Sequence, residues 1–208
     1  VLALWAMSLP GAPYYVTVAG MGGEADYETR FTALANEAHK LLAAAPDAKS
    51  FVLAGPPATR QKLRDTFAQI AAEAKPEDIL VVTLIGHGTF DGADYKFNLP
   101  GPDLSAVELA ALLDRVPCRD QLVVNTTSAS GGALAALQKP GRVVITSTKS
   151  GTEKNATVFG RFWVEALRDG AADLDKNEIV SALEAYRYAD QKTIVYYDQQ
   201  KWLATEHA

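Results

Sequence analysis

Cysteine is nearly absent from this chain: Cys118 is the single one in 208 residues, so no internal disulfide can staple the fold. It follows Pro117 and precedes Arg119, just ahead of an apolar run, and reads as a loop cysteine without a catalytic role. A membrane helix is missing too. No segment beyond the first residues reaches the roughly 18 consecutive apolar positions that a span requires. There is no Lys/Arg-rich block, and the formal net charge is −5 with acids and bases interspersed. Nothing here recruits nucleic acid or an anionic membrane through its field alone. Internal repeats, low-complexity tracts and linkers are lacking as well. Histidine is scarce, and His39, His87 and His207 are the only places for imidazole chemistry.

What is present suits one globular domain. Hydrophobic residues make up 48% and charged residues 22%, and cores seldom outgrow about 250 residues. Residues 1–12 are nearly all uncharged and have two readings. They are the apolar remnant of a secretory signal, which implies an exported, periplasmic protein. Or they are an edge strand or arm on the domain, which leaves a cytoplasmic protein. Residues 13–208 form the single domain.

Periodicity divides that domain into alternating strands and helices. Strands are expected at Tyr14–Ala19, Ser50–Ala54, Gln121–Asn125 and Arg142–Thr146 from their β-branched and apolar content. Ile79–Ile85 is continuously apolar, the signature of a central strand covered on both faces. Helices are expected at Tyr27–Ala45, from Thr59 as cap to Ala74, at Leu104–Leu113 with Ser105 and Glu108 spaced for a capping box, at Gly132–Gln138, Thr157–Arg168 and Ser181–Ala189. Thr193–Tyr197 is left open between a last strand and a helix end. Alternation of this kind predicts a mostly parallel sheet with helices on both faces.

Sites in such sheets form at the carboxyl ends of strands. Two ends carry chemistry. Gly86-His87-Gly88 sets an imidazole between two glycines directly after the buried strand, where a sharp turn and a close substrate approach are both possible. The second is Asn125-Thr126-Thr127-Ser128-Ala129-Ser130-Gly131, a strand running into a small-residue turn and then a helix. A nucleophile there has backbone N–H groups nearby to hold an oxyanion, while Ser130 also reads as a simple helix cap. His39 and His207 read as surface residues.

The pairing of these runs carries a resemblance. Residues 76–88 end in Ile85-Gly86-His87-Gly88, and residues 122–131 follow with Ser128-Ala129-Ser130-Gly131. Together they resemble the caspase-like cysteine peptidases, in which a hydrophobic strand ends in His-Gly and a later one in Asp/Glu-Ala-Cys-x-Ser-Gly. The bacterial legumain-like branch is the most similar, through Val18-Ala19-Gly20-Met21-Gly22-Gly23 with Asp26-Tyr27 and the helix from Phe159-Gly160. The similarity spans about residues 14–190. It implies a caspase-like three-layer α/β/α sandwich, with His87 as general base, Gly88 beside it and Ser128 at the nucleophile position. It also implies a substrate pocket drawing on Asp26, Glu28, Thr126 and Arg161, a peptide or protein ligand, and no cofactor for catalysis.

Departures from the family pattern decide the activity expected. The nucleophilic cysteine falls on Ser128, and a hydroxyl is far harder to deprotonate than a thiol. No carboxylate is identifiable to orient His87 as in a serine triad. The acid two places before the nucleophile becomes Thr126. A substrate-reading Arg of legumains falls on Glu28 and a pocket acid on Arg161, so a preference for Asn is not carried over. Three readings of Ser128 stay open: a natural loss that leaves a peptide-binding pseudopeptidase, a cysteine deliberately exchanged for serine, or a working serine nucleophile. A fourth comes from another enzyme class, since Ser128-Ala129-Ser130-Gly131-Gly132 approaches the nucleophile elbow of α/β-hydrolases, with Ser130 as nucleophile and only His207 late enough as its base.

An independent motif lies at residues 173–184. Asp173, Asp175, Asn177, Ser181 and Glu184 occupy EF-hand positions 1, 3, 5, 9 and 12, Ile179 offers a backbone carbonyl, and both flanks read as helices. The sixth position, normally glycine, is Glu178. The loop reads either as a structural Ca²⁺ site or as an acidic capping loop for the following helix. A calcium-stabilised interaction module is therefore a further functional alternative. The sequons at Asn125 and Asn155 read as accidental, the first because it ends a buried strand.

Overall fold

A computed structural model describes residues 11–208. The expected signal remnant or arm therefore falls mostly outside the described residues. Gly11 and Ala12 run alongside the start of a central strand: the Ala12 amide donates to Asp78 Oδ1 at 2.8 Å, and its carbonyl accepts from the Ile79 amide at 3.2 Å.

Five strands form one fully parallel sheet. They are β1 (Pro13–Ala19), β2 (Lys49–Leu53), β3 (Ile79–Ile85), β7 (Asp120–Asn125) and β8 (Arg142–Thr146), in the order β2-β1-β3-β7-β8. All seven residues of β3 are buried, as its unbroken apolar sequence demands. Alternation sends Leu80, Val82 and Leu84 into one core and Ile79 and Val81 into the other. The first core is closed by α2 (Arg60–Glu73), α3 (Ala106–Leu113) and α4 (Leu134–Leu137). The second is closed by α1 (Ala25–Leu42), α5 (Phe159–Arg168) and α6 (Ala182–Gln200), with Phe159 and Trp163 fully buried. The result is the expected three-layer α/β/α sandwich with a parallel central sheet.

Caps fall where the sequence puts them. Thr59 accepts from the Lys62 amide, and Ser105 forms the complete box with Glu108. Three elements differ from expectation. The sequence assigns no element between Gly88 and Leu104, but a small antiparallel sheet forms from β4 (Gly88–Phe90), β5 (Tyr95–Phe97) and β6 (Leu104–Ser105). The helix expected from Leu104 accordingly starts at Ala106, because Leu104 and Ser105 pair with Phe97 and Lys96. The segment at Gly132 starts as a 3₁₀ turn over Ser130–Ala133. Thr193–Tyr197 is helical despite its β-branched content, since Ala185, Ala189, Thr193 and Tyr197 recur every four residues on the buried face of α6. Tertiary burial outweighs local propensity there.

Candidate functional site

The β3–β7 register aligns Leu84 with Asn125, so the turns that leave these strands emerge side by side. Gly86 turns the chain with φ +149°. Gly88 lies so close to the second turn that a Cβ there would sit 2.5 Å from the Ser128 carbonyl oxygen and from Tyr95 Cε2. The two turns singled out in the sequence thus adjoin, with Gly88 against Ser128 and His87 beside them at the carboxyl edge of the sheet.

His87 is half-buried, with the rings of Tyr27 and Phe31 edge-on at centroid distances of 4.8 and 5.0 Å. Desolvation holds its pKa below the usual imidazole value, and the Gly22 backbone and the charge of Glu24 oppose this without reversing it. The ring is therefore neutral near pH 7 and able to accept a proton. Among the described residues no carboxylate hydrogen-bonds to it, so no third member of a triad is in place.

Ser128 is 2% exposed. Its hydroxyl donates to the Gly88 carbonyl and accepts from the Gly88 amide, both at 3.1 Å. The hydroxyl is thereby tied to the backbone beside His87 rather than to the imidazole. Ala129, next in line, is left-handed at φ 56°, a conformation that costs an L-residue about 1 kcal/mol or more. A buried polar network holds this turn from below. Tyr95 shares a hydrogen bond of 2.6 Å with Thr127 and donates to Asn125 Oδ1 at 3.3 Å, and Ser147 donates to the Thr127 carbonyl at 2.8 Å. Burial pushes the Tyr95 phenol up to about 12, so it acts here only as a neutral hydrogen-bonding group.

Beside this face a cleft of about 300 Å³ opens between α1 and the start of α5. Thr126 and Arg161 line it; Asp26 and Glu28 do not. Asp26 is exposed in the first turn of α1, and Glu28 accepts the Gly22 amide at 2.8 Å, fastening the glycine-rich loop. The cleft's second cation is Arg30, which belongs to no motif of the sequence. Helical spacing was the available signal: Tyr27, Arg30, Phe31 and Leu34 share a face of α1 at intervals of three and four.

The hydrolase-elbow alternative lacks its geometry. Ser130 has no exposed surface and is bonded to Ser147 and Thr148, while His207 Nδ1 is engaged by Glu153. Cys118 offers no substitute nucleophile either. It precedes β7 at the amino ends of the strands, away from the site, and burial pushes its thiol up to about 11.

The 173–184 loop gathers its acids. One carboxylate oxygen each from Asp173, Asp175 and Glu184 lie within 4.8 Å of one another. Asp173 accepts from the amides of Asn177 and Glu178, and Glu184 from those of Leu174, Asp175 and Ser181. Glu178 takes φ 68°, the left-handed conformation that the motif asks of its glycine. The exiting helix is present as expected, with Ser181 as its cap. The entering segment differs: α5 stops at Arg168, and a 3₁₀ turn over Gly170–Ala172, capped by Asp169, intervenes. The Asn177 side chain is turned inward on the loop itself, its Oδ1 accepting from the Ile179 amide at 2.9 Å and its Nδ2 donating to Asp175 at 3.0 Å.

No protein-family model matches the sequence, and no curated protein does. Solved structures do. The Drosophila initiator caspase Dronc superposes with a TM-score of 0.51 at 8% identity, over 92% of this chain and 74% of that one. Raptor from Chaetomium thermophilum gives 0.50 at 12% identity, over 83% of this chain but only 20% of its own. A protein of Geobacter sulfurreducens gives 0.47 at 15% identity, over 94% and 68%. With its parallel five-stranded sheet, its helices on both faces and its likeness to Dronc, the chain has the caspase-like α/β/α fold.

Proposed function

We propose that this domain is a pseudopeptidase of the legumain-like kind, which holds a peptide or protein segment across the His87 and Ser128 turns without cleaving it. The observation that carries the reading is the Ser128 hydroxyl. Its proton points to the Gly88 carbonyl, which cannot take it, and its oxygen is sealed by the Gly88 amide. A serine nucleophile needs a base on its proton and open access to a carbonyl carbon, and Ser128 has neither. The face keeps the means to bind a chain: a neutral imidazole, glycines that allow close approach, and an adjoining cleft for a side chain.

A fluorogenic peptide library tests this directly. Wild-type protein should give no turnover yet bind labelled peptides saturably, and His87→Ala should weaken that binding. Turnover abolished by His87→Ala would overturn the reading in favour of an active serine hydrolase. Ser128→Cys separates two causes of silence. Activity gained by the thiol assigns the loss to one atom, whereas continued silence assigns it to the geometry of the turn.

A second reading concerns Ca²⁺ at residues 173–184, favoured by the left-handed Glu178 and the converging carboxylates. Asp173, Asp175, Asn177, Ser181 and Glu184, with the carbonyl of Ile179, would hold the ion. Its contribution would be structural, tying the α5–α6 connection. Calorimetry should show Ca²⁺ binding that Asp173→Ala abolishes; a flat titration of the wild type refutes the site.

A further inference from the structure

The first turn of α5 is capped from a distance. Val158 holds the N-cap position without a side-chain bond of its own, and the amides of Val158 and Phe159 donate to the two carboxylate oxygens of Glu206, at 2.7 and 3.2 Å. Glu206 is 3% exposed, although residues 202–208 belong to no helix or strand. The chain leaves α6 through Lys201 at φ 55°, passes through the exposed Trp202 and Leu203, and returns to the domain at Thr205. From there every residue is held. Thr205 shares a hydrogen bond with the Tyr197 hydroxyl at 3.1 Å, and that hydroxyl donates to Glu206 at 3.1 Å. His207 meets Glu153 through its amide at 3.3 Å and through its ring, and the Ala208 carbonyl accepts from Tyr186 at 3.0 Å.

The partners of this tail lead to the Ser128 turn. The Glu153 carbonyl accepts from the Ala129 amide at 2.7 Å, and Thr157 donates to the Thr126 carbonyl. Residues 153–159 are thus gripped by the tail on one side and hold Thr126 and Ala129, to either side of Ser128, on the other. Ala129 is left-handed at φ 56°, and such a conformation persists only where surrounding contacts impose it. The tail itself is lightly held. Between Thr205 and Ala208 it has no large apolar side chain to bury, and its hydrogen bonds trade against water for a small net gain. A segment anchored in this way opens locally while the sheet stays closed.

We infer that residues 205–208 form a detachable clamp on the Ser128 turn, in which docking of the tail and occupancy of the peptide face strengthen one another, an assignment that rests on the peptide-binding role proposed above. With the tail docked, residues 153–159 are fixed and Ala129 is kept left-handed. With it lifted, Glu206 no longer caps α5, and Glu153 is free to withdraw its carbonyl from Ala129. A peptide seated on the docked shape binds that state better. Linkage then requires the peptide to hold the tail down by the same factor.

The test uses the whole chain and residue-resolved amide hydrogen exchange by NMR. The decisive amide is that of Ala129, whose partner, Glu153, lies outside the tail. In Glu206→Ala/His207→Ala it should exchange about tenfold faster or more, while the β3 amides of Val82 and Leu84 keep their wild-type rates. His207→Ala changes one exposed side chain, so it should fold and should speed Ala129 in the same direction. This single variant decides the matter if the double one does not fold. Glu165→Ala is the control, since it removes a bond from Tyr188 of α6 to α5 away from the turn and should leave Ala129 within about twofold. Unchanged exchange at Ala129, equal acceleration across β3, or the same effect from Glu165→Ala overturns the clamp. A fluorescein-labelled peptide selected from the library above should bind the clamp variant about fivefold weaker or more by anisotropy, and on wild type it should slow exchange at Val158 and Phe159. Equal affinity for both proteins overturns the coupling. If no peptide binds wild type, the peptide-binding role and the coupling fall together, while the exchange rates still show whether the tail sets the turn.

Discussion

Gly88→Ala is the substitution that most directly probes how the two turns are joined. A methyl group at this position would lie 2.5 Å from the Ser128 carbonyl oxygen, 2.5 Å from Tyr95 Cε2 and 2.7 Å from Thr127 Oγ1. None of these atoms yields easily. Tyr95 is 2% exposed and tied through its hydroxyl, and the Ser128 carbonyl is backbone. The β4 backbone must therefore move, at an overpacking cost of about 1–3 kcal/mol. Moving it stretches both hydrogen bonds between Gly88 and the Ser128 hydroxyl, each worth about 0.5–1.5 kcal/mol. The expected destabilisation is about 2–6 kcal/mol, which for a chain of this size lowers Tm by roughly 4–24 °C. Urea and thermal denaturation followed by circular dichroism measure it, with exposed Thr89→Ala as a control expected to stay within about 0.5 kcal/mol. Ser128→Ala removes the same two bonds without the clash. The double variant should therefore be less destabilised than the two single effects added together. A Gly88→Ala protein within about 0.5 kcal/mol of wild type, or strict additivity in the cycle, would refute the coupling of the turns.

Three further outcomes follow from the same geometry. Tyr95→Phe deletes the hydroxyl that braces Thr127 and Asn125 and should cost about 1–2 kcal/mol in urea unfolding; a cost under about 0.5 kcal/mol means that the network does not brace the turn. Glu206 is buried against the start of α5, accepting from the Val158 and Phe159 amides and from Tyr197, and its pKa is raised above 4.5, chiefly by desolvation. The folded state then holds this proton more tightly than the unfolded one, so the stability it confers grows as pH falls from the raised value toward 4.5. Wild type should therefore gain stability relative to Glu206→Gln as pH falls through that window in equilibrium unfolding at stepped pH; a relative loss shows the carboxylate is favoured instead. Finally, Glu178→Gly relieves a left-handed residue at φ 68° and should stabilise the Ca²⁺-free protein by about 0.5–1 kcal/mol net of the added chain entropy, measured by thermal unfolding. A loss of stability would contradict the strain assigned to Glu178.

The sequence alone determined the layered architecture, because that information is local and periodic. An unbroken apolar run over Ile79–Ile85 cannot be satisfied at a sheet edge, and strands separated by amphipathic helices leave few ways to pair other than in parallel. The identity of His87 and Ser128 as neighbours was also legible, since both follow strands whose carboxyl ends share one edge of the sheet. Propensity left Thr193–Tyr197 open, and burial decided it as helix, while residues 89–103 gave no periodic signal strong enough to announce β4 and β5. Tertiary structure alone decided what the site's atoms face. Whether the Ser128 hydroxyl meets an imidazole or the Gly88 backbone depends on sub-ångström packing of two turns some forty residues apart in the chain. Likewise, the cleft draws on Arg30 instead of Glu28 because a helix turns about 100° per residue, and two positions along the chain exchange a residue that fastens the Gly22 loop for one that faces α5.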